Sequence, residues 1–496
     1  MKPVALMSCM LSICLVTGCT GNPLDDLSSV PEADRAALKE CLQTPDLPGN
    51  HWPQDAGKAR CWLSLPQTPS LKAIAATLKE HDGADRLDKQ YAEILEAHYN
   101  DPAHRDRLFH AYLGFKTAEG QPLAADWMAK SGQGPFAVVA SAEAALGAAE
   151  QARGTAFADK TSDAQFAGMM DQLKVSVPLL RQVLRLEPRL SPACVGLMEV
   201  ADLASAADIH AEAERQCMKV DPLSWDVNNA RLTGSGVDPR WGGSFDAMDG
   251  VVEQIRQLEK DNPGLASLLA KGIGRRAYFP INDDSNLLPI AKELDGAALA
   301  APDVFYIDRA GLAAEQAGNL PKAMLYYSQA LRFAPDEIGI LIHRAQLRTK
   351  MGDRTHALVD AQHAAILPDL CHCKDDANLA LLFGDLGRID DERAELQKAA
   401  KQPDDRLFAL ETLCKTYIEK DFDGEHALPC TKQLADEFPD DSEALYLRAL
   451  TLHIVNDPAA DEFDARFRGL ANTSDPGQAA EIEQLDQFKK QTADKQ

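Results

Sequence analysis

Positive charge is what this chain most lacks. In 496 residues, 51 Lys and Arg stand against 76 Asp and Glu, a formal charge of −25. The pI is near 4.9. A nucleic-acid phosphate backbone needs a basic footprint, so that class of partner is excluded. Broad contact with anionic lipid is disfavoured for the same reason. Acidity of this degree keeps a long surface soluble. Aromatics are also few, at 6 %. With Ala and Leu abundant, this composition points to helices. No stretch beyond the N-terminal segment is apolar enough to span a membrane, which takes about 20 residues.

Catalytic signatures are missing too. The sequence contains no HExxH, GxSxG, Walker A or SxxK. Gly272-Ile273-Gly274 lacks the preceding strand that a dinucleotide loop requires. The histidines are scattered, and His98, His104 and His110 fall on or near polar helix ends, which suits solvated or capping roles. Asp283-Asp284, Asp375-Asp376 and Asp404-Asp405 sit at helix starts, where acids complement the helix dipole. The expectation is a protein that is not an enzyme and carries no cofactor.

What is present is a period. Val304–Pro335 reads as two amphipathic helices around a turn at Ala317-Gly318-Asn319. Gly311, Ala323 and Ala330 fall where the helices cross closely, and Ile307, Tyr327 and Leu331 fill the space around the crossing. Pro335 stops the second helix. Glycines recur at Gly318, Gly352 and Gly387, and stops recur at Pro335, Pro368, Pro403 and Pro439. Helix–turn–helix units about 34 residues apart resemble tetratricopeptide (TPR) repeats. In the first unit Ile307, Gly311, Gly318, Ala323, Tyr327, Ala330 and Pro335 match the TPR spacing. In the second Ala345, Gly352, Ala357 and Ala364 match. In the third Glu392 replaces the expected small residue, which puts close helix contact there in question. The resemblance implies an all-α fold, an α-solenoid of TPR-like helix–turn–helix repeats. It also implies a groove on the inner faces of the first helices that takes a protein or peptide partner. Carried onto this chain, the groove positions are Phe305, Asp308, Leu312, Glu315, Gln346, Lys350, Leu381 and Asp385. Their mix is apolar and acidic, so a basic or amphipathic segment is the expected ligand.

The N-terminus reads as a targeting segment. Lys2 precedes the apolar stretch Val4–Val16, and Val16-Thr17-Gly18-Cys19 follows. These residues resemble a bacterial lipobox, which implies lipid on Cys19 and an anchor without a spanning helix. An ordinary cleaved signal peptide is the alternative. Thr20 in place of aspartate favours the outer membrane, facing the periplasm.

Arg153-Gly154-Thr155, the end Glu187-Pro188, Val220-Asp221-Pro222 and Pro239–Ser244 together resemble the DUF4034 family. That resemblance implies a domain of TPR-like helices and no chemistry. Arg153, Arg240 and Trp241 form an alternative ligand corner for an envelope enzyme or a protein that binds glycan or a small ligand. Trp241 serves equally as a plug between its loop and the next helix. A purely structural envelope component is the third reading. The expected division is a signal peptide over 1–18, a tether and cap over 19–69, a helical domain over 70–280 and a bridge over 281–303. TPR repeats follow over 304–440, then closing helices and a tail over 441–496.

Eight cysteines remain once Cys9, Cys14 and Cys19 are set aside, an even number that suits an exported, disulfide-bonded chain. Cys194 and Cys217 lie symmetrically about a turn near Ser205, as Cys414 and Cys430 do about Phe422. Cys41 with Cys61 follows by elimination. Cys371-His372-Cys373 allows a disulfide, free thiols or a metal. A zinc site needs about four ligands, and no second CxxC or HxxxH stands nearby, so no metal is expected.

Overall fold

The computed structural model describes residues 22–28, 30–65, 69–154, 160–281, 284–367, 376–403, 405–420 and 422–493. Cys19, Cys371, His372 and Cys373 lie outside the described residues, as do Asp283, Pro368, Asp375 and Asp404. Among the described residues there are 25 α-helices and no strand. The chain forms two compact units. The first runs to Gly272, and the second begins at Ile273 and also takes in Leu47–Asn50.

In the first unit, the helices Glu32–Gln43 and Ala56–Leu63 form a small cap closed by the Cys41–Cys61 disulfide. Trp62 packs in it, and its indole N–H donates to the Leu24 carbonyl at 2.9 Å. The centre is aromatic despite the low overall content. Tyr91, Tyr112, Phe115 and Trp127 are buried together, with the Tyr91 and Trp127 ring centroids 4.8 Å apart. The Tyr91 hydroxyl donates to the Ala111 carbonyl and the Trp127 indole to Asp88, which pairs two of the three polar tips there. The alanine-rich helix Pro135–Arg153 is apolar on most of its faces, which demands burial on most of them.

That helix packs along Asp163–Leu186. This second helix begins at Asp163, well ahead of the end Glu187-Pro188 that the sequence marks. Ser162 and Gln165 form a reciprocal capping box that starts the helix early. Pro178 is then carried inside it, a position that forfeits a backbone hydrogen bond. Packing along the neighbouring helix outweighs that loss. Beyond lies a hairpin, Ser191–Leu203 and Ala207–Val220, turning at Ser205 and cross-linked by Cys194–Cys217. Ser244 caps Phe245–Leu258, as its side chain suggests, after a sharp turn at Gly242, whose φ is +78°.

Gly147 marks the closest approach in this unit. A Cβ there would stand 2.2 Å from the Lys116 carbonyl oxygen and 2.5 Å from its Cα. Backbone atoms give way less readily than a side chain. Overpacking costs typically 1–3 kcal/mol, against the ~1 kcal/mol that alanine gains over glycine in a helix. Gly147→Ala is expected to destabilise the first unit by roughly 1–2 kcal/mol net in urea denaturation. A raised midpoint would refute the close crossing.

The second unit is a run of helical hairpins. The pairs are Val304–Gln316 with Leu320–Phe333, Ile338–Lys350 with Arg354–Ile366, and Asp376–Asp385 with Ile389–Ala399. Arg406–Lys415 with Gly424–Glu437 and Ser442–Ile454 with Ala460–Leu470 follow. Each packs on its partner and on the next hairpin, the arrangement of a TPR-like α-solenoid. Gly318, Gly352 and Gly387 all adopt positive φ, at 75°, 82° and 71°, so the repeated glycine is a backbone requirement of the turn. Asn319 and Asp353 cap the helices that follow. A Cβ on Gly311 would meet the Tyr327 ring at 2.8 Å, which is why that crossing takes only glycine.

One expectation is corrected here. Glu392 does not part its helices: it is buried, and Gly384 across from it leaves the room a side chain would fill. The tail expected at the C-terminus is helical over most of its length. Pro476–Ala493 is a helix that buries Leu485 completely. Arg468 bridges to Asp486, and Lys489 to Asp461 and Asp464.

Candidate functional site

The candidate groove positions lie on the first helices of the first three hairpins. Phe305 is 41 % exposed at the start of Val304–Gln316. It stands edge-on to Tyr278, with ring centroids 5.3 Å apart, and the Arg309 guanidinium covers it at 4.8 Å from its ring centre. Arg309 is in turn paired with Asp284 at 2.9 Å, and the Tyr278 hydroxyl donates to that carboxylate at 2.8 Å. The ring is thus held in place while one side stays open. Leu381 is likewise 41 % exposed on Asp376–Asp385. Leu312 and Gln346 are half-buried between them in sequence, and Asp385 is exposed.

The charged candidates behave differently. Asp308 is buried and takes no part in an open surface. Its carboxylate pairs with Arg309 and with His343 Nδ1, the latter at 3.2 Å. Glu315 accepts from the Tyr327 hydroxyl at 3.0 Å and pairs with the Lys350 ammonium. Asp308 and Glu315 are two turns apart on one helix. His343 and Lys350 repeat that spacing one hairpin later. Each contact therefore spans one repeat, and together they link neighbouring first helices along the stripe. Desolvation and the nearby Glu315 and Asp308 carboxylates push the Tyr327 hydroxyl up, so it stays a donor. The acidity expected of the stripe is largely neutralised within the fold. Apolar Phe305, Leu312 and Leu381 remain, with Asp385 as an exposed acid. Reading the sequence missed Tyr278, Arg309 and His343. His343 was findable, because it lies one repeat length beyond Asp308.

The alternative corner is not assembled as expected. Trp241 plugs no gap; it is 42 % exposed. Arg240 is forked on Asp238, with Nη2 3.0 Å from the carboxylate. Arg153 donates to the Gly154 carbonyl at the end of its own helix. His98 is a further correction. It is fully buried, not solvated, and its Nε2 lies 2.7 Å from Asp221. His104 is half-buried and paired with Asp101. His110 is half-buried too, and desolvation together with the nearby Arg107 and Arg60 charges lowers its pKa to about 4.

Where three acidic or histidine side chains do converge, at His453, Asp461 and Asp464, the site is already taken. Arg468 Nε lies 2.6 Å from Asp464, and the Lys489 ammonium reaches both aspartates. No helix among the described residues is long and apolar enough to cross a membrane.

No family model matches the chain and no curated protein sequence matches it, so the DUF4034 resemblance has no support from a family model. Among solved structures, the P58(IPK) TPR domain aligns over 82 % of this chain and 99 % of its own, at 13 % identity and a TM-score of 0.23. A human IFIT1 dimer with PPP-AAAA aligns over 88 % of this chain and 99 % of its own, at 11 % identity and a TM-score of 0.31. An IFIT1 monomeric mutant with Gppp-AAAA covers 88 % and 100 %, at 12 % identity and a TM-score of 0.33. The TPR-like fold of this chain stands on its own hairpins, their turn glycines and their repeat spacing.

Proposed function

We propose that this protein is a non-catalytic docking scaffold of the bacterial cell envelope. It is tethered by lipid on Cys19 to the outer membrane and faces the periplasm. Its ligand is an amphipathic segment of a protein partner, laid along the inner stripe of the second unit. The observation that carries this reading is the pair of exposed apolar side chains, Phe305 and Leu381, on the first helices of the first and third hairpins of one solenoid. An apolar face of the ligand would cover them together with Leu312. A basic side chain on the ligand would meet Asp385. It would also compete with Lys350, whose exposed ammonium holds Glu315 at the cost of a pair worth about 1 kcal/mol or less. The disulfides Cys41–Cys61, Cys194–Cys217 and Cys414–Cys430, among the described residues, are consistent with an exported chain.

Affinity co-purification from detergent-solubilised membranes tests this. The wild type is compared with a Leu312→Glu/Gln346→Ala/Leu381→Glu variant that melts like the wild type by circular dichroism. A stoichiometric partner retained by the wild type and lost from the variant is the expected result. A partner held equally by both would eliminate the stripe. A Cys19→Ala chain is expected in the soluble fraction; if it stays with the membrane, the anchor is elsewhere.

A further inference from the structure

The first unit contains a pocket that the docking stripe does not use. It is a cavity of about 130 Å³ between Phe109–Lys116 and the helices Pro135–Arg153, Ser191–Leu203 and Trp225–Thr233. Gly147 fixes the position of one lining residue, Lys116. Because it has no side chain, the backbone of Lys116 lies directly on it. Glu143 and Glu150 flank Gly147 on the same helix face, one turn to either side. The Lys116 ammonium therefore sits among carboxylates, 2.7 Å from Glu199, 3.5 Å from Glu150 and 3.8 Å from Glu143. Asp202 is satisfied separately by the Ser235 amide and hydroxyl, at 2.9 and 2.6 Å.

Two polar groups in the lining are left without partners. One is the hydroxyl of Tyr112, on a side chain only 1 % exposed. The other is Oδ2 of Asp226, in the first turn of its helix, which no ion pair among the described residues reaches. Stranding buried polar atoms costs roughly 1–3 kcal/mol each, so their pairing in a natural fold is the norm. Four lining carboxylates, Glu143, Glu199, Asp202 and Asp226, face a single ammonium. Desolvation raises the Glu143 pKa to about 8 and pushes Asp226 well up, so both favour the neutral form until a cation beside them offsets that burial. The remaining walls, Phe109, Tyr112 and Val195, suit a short alkyl chain, and the two rings attract positive charge. The volume admits a few heavy atoms, not a nucleotide.

We infer that this pocket binds a primary ammonium group on a short alkyl chain, with Asp226 Oδ2 and the Tyr112 hydroxyl as its acceptors. The group belongs either to a free small amine or to a lysine side chain of a peptide. The inference is independent of the docking stripe, which lies in the other unit.

Calorimetric titration of the full chain with n-butylammonium chloride tests it at constant ionic strength. Nα-acetyl-lysine methylamide forms the second arm, with n-butanol and sodium butyrate as controls. One saturable site for an ammonium compound, and none for the controls, is the expected result. Binding of the lysine derivative alone would assign the site to a peptide, and binding of butylammonium alone to a free amine. Asp226→Asn should weaken binding at least tenfold and Tyr112→Phe about threefold. The Leu312→Glu/Gln346→Ala/Leu381→Glu variant should bind as the wild type does. Absence of saturation in both arms overturns the proposal, as does equal binding of butanol. If Asp226→Asn fails to fold, Tyr112→Phe decides: unchanged affinity in that variant also overturns it.

Discussion

Replacing Asp221 by alanine is expected to cost the first unit about 4 kcal/mol, within the 3–5 kcal/mol typical of breaking a buried pair from one side. Both His98 and Asp221 are essentially inaccessible to water, and they meet at 2.7 Å. The Asp106 amide donates to His98 Nδ1 at 3.0 Å. That nitrogen is therefore the acceptor, and the proton sits on Nε2, which donates to Asp221. The Ser191 hydroxyl donates to the same carboxylate oxygen at 2.7 Å, and Arg105 stands 3.9 Å from the other. Alanine would strand the His98 N–H and the Ser191 hydroxyl in the interior, at roughly 1–3 kcal/mol each. Asp221→Asn keeps an acceptor in place and should cost less than half as much. All five tryptophans, Trp52, Trp62, Trp127, Trp225 and Trp241, belong to the first unit, so tryptophan fluorescence in urea follows that unit alone. Measuring one unit also avoids treating a two-unit chain as a single two-state transition. An Asp221→Ala midpoint within about 1 kcal/mol of wild type would mean that the network does not hold this unit together.

The Cys194→Ser/Cys217→Ser variant should lose about 3 kcal/mol in the same assay. The bridge closes a segment with a sequence separation of 23, and chain-entropy reasoning gives about 3 kcal/mol for a loop of that order. Both sulfurs are buried, so reductant should reach them only when the hairpin opens. The double variant is thus the cleaner experiment, and Cys414→Ser/Cys430→Ser is its counterpart in the second unit, where the separation is 16. Unchanged midpoints in both would show that the bridges contribute nothing to either unit, and would remove one support for an exported chain.

Much of the solenoid was readable before any coordinates. Gly318, Gly352 and Gly387 repeat because each turn needs positive φ, a local demand that leaves a mark at a fixed residue type. A hydroxyl before an amphipathic run has one obvious use, and Ser244 caps the helix it precedes. The cysteine pairs were readable because antiparallel helices bring residues equidistant from the turn together. The groove positions were readable only as places on a helix face. Whether Asp308 faced solvent or His343 depended on the next hairpin, and no local pattern encodes that.

By itself, then, the sequence determined helix, turn and repeat. These follow from backbone propensity, capping and spacing, which act over a few residues. Only the tertiary structure decided that Pro178 stays inside a helix, that Pro476–Ala493 docks and that His98 is buried. It alone neutralised the acids of the stripe and left Asp226 and Tyr112 unpaired in a pocket. Burial and charge pairing are sums over neighbours distant in the chain. A residue's own surroundings in sequence carry almost no information about them.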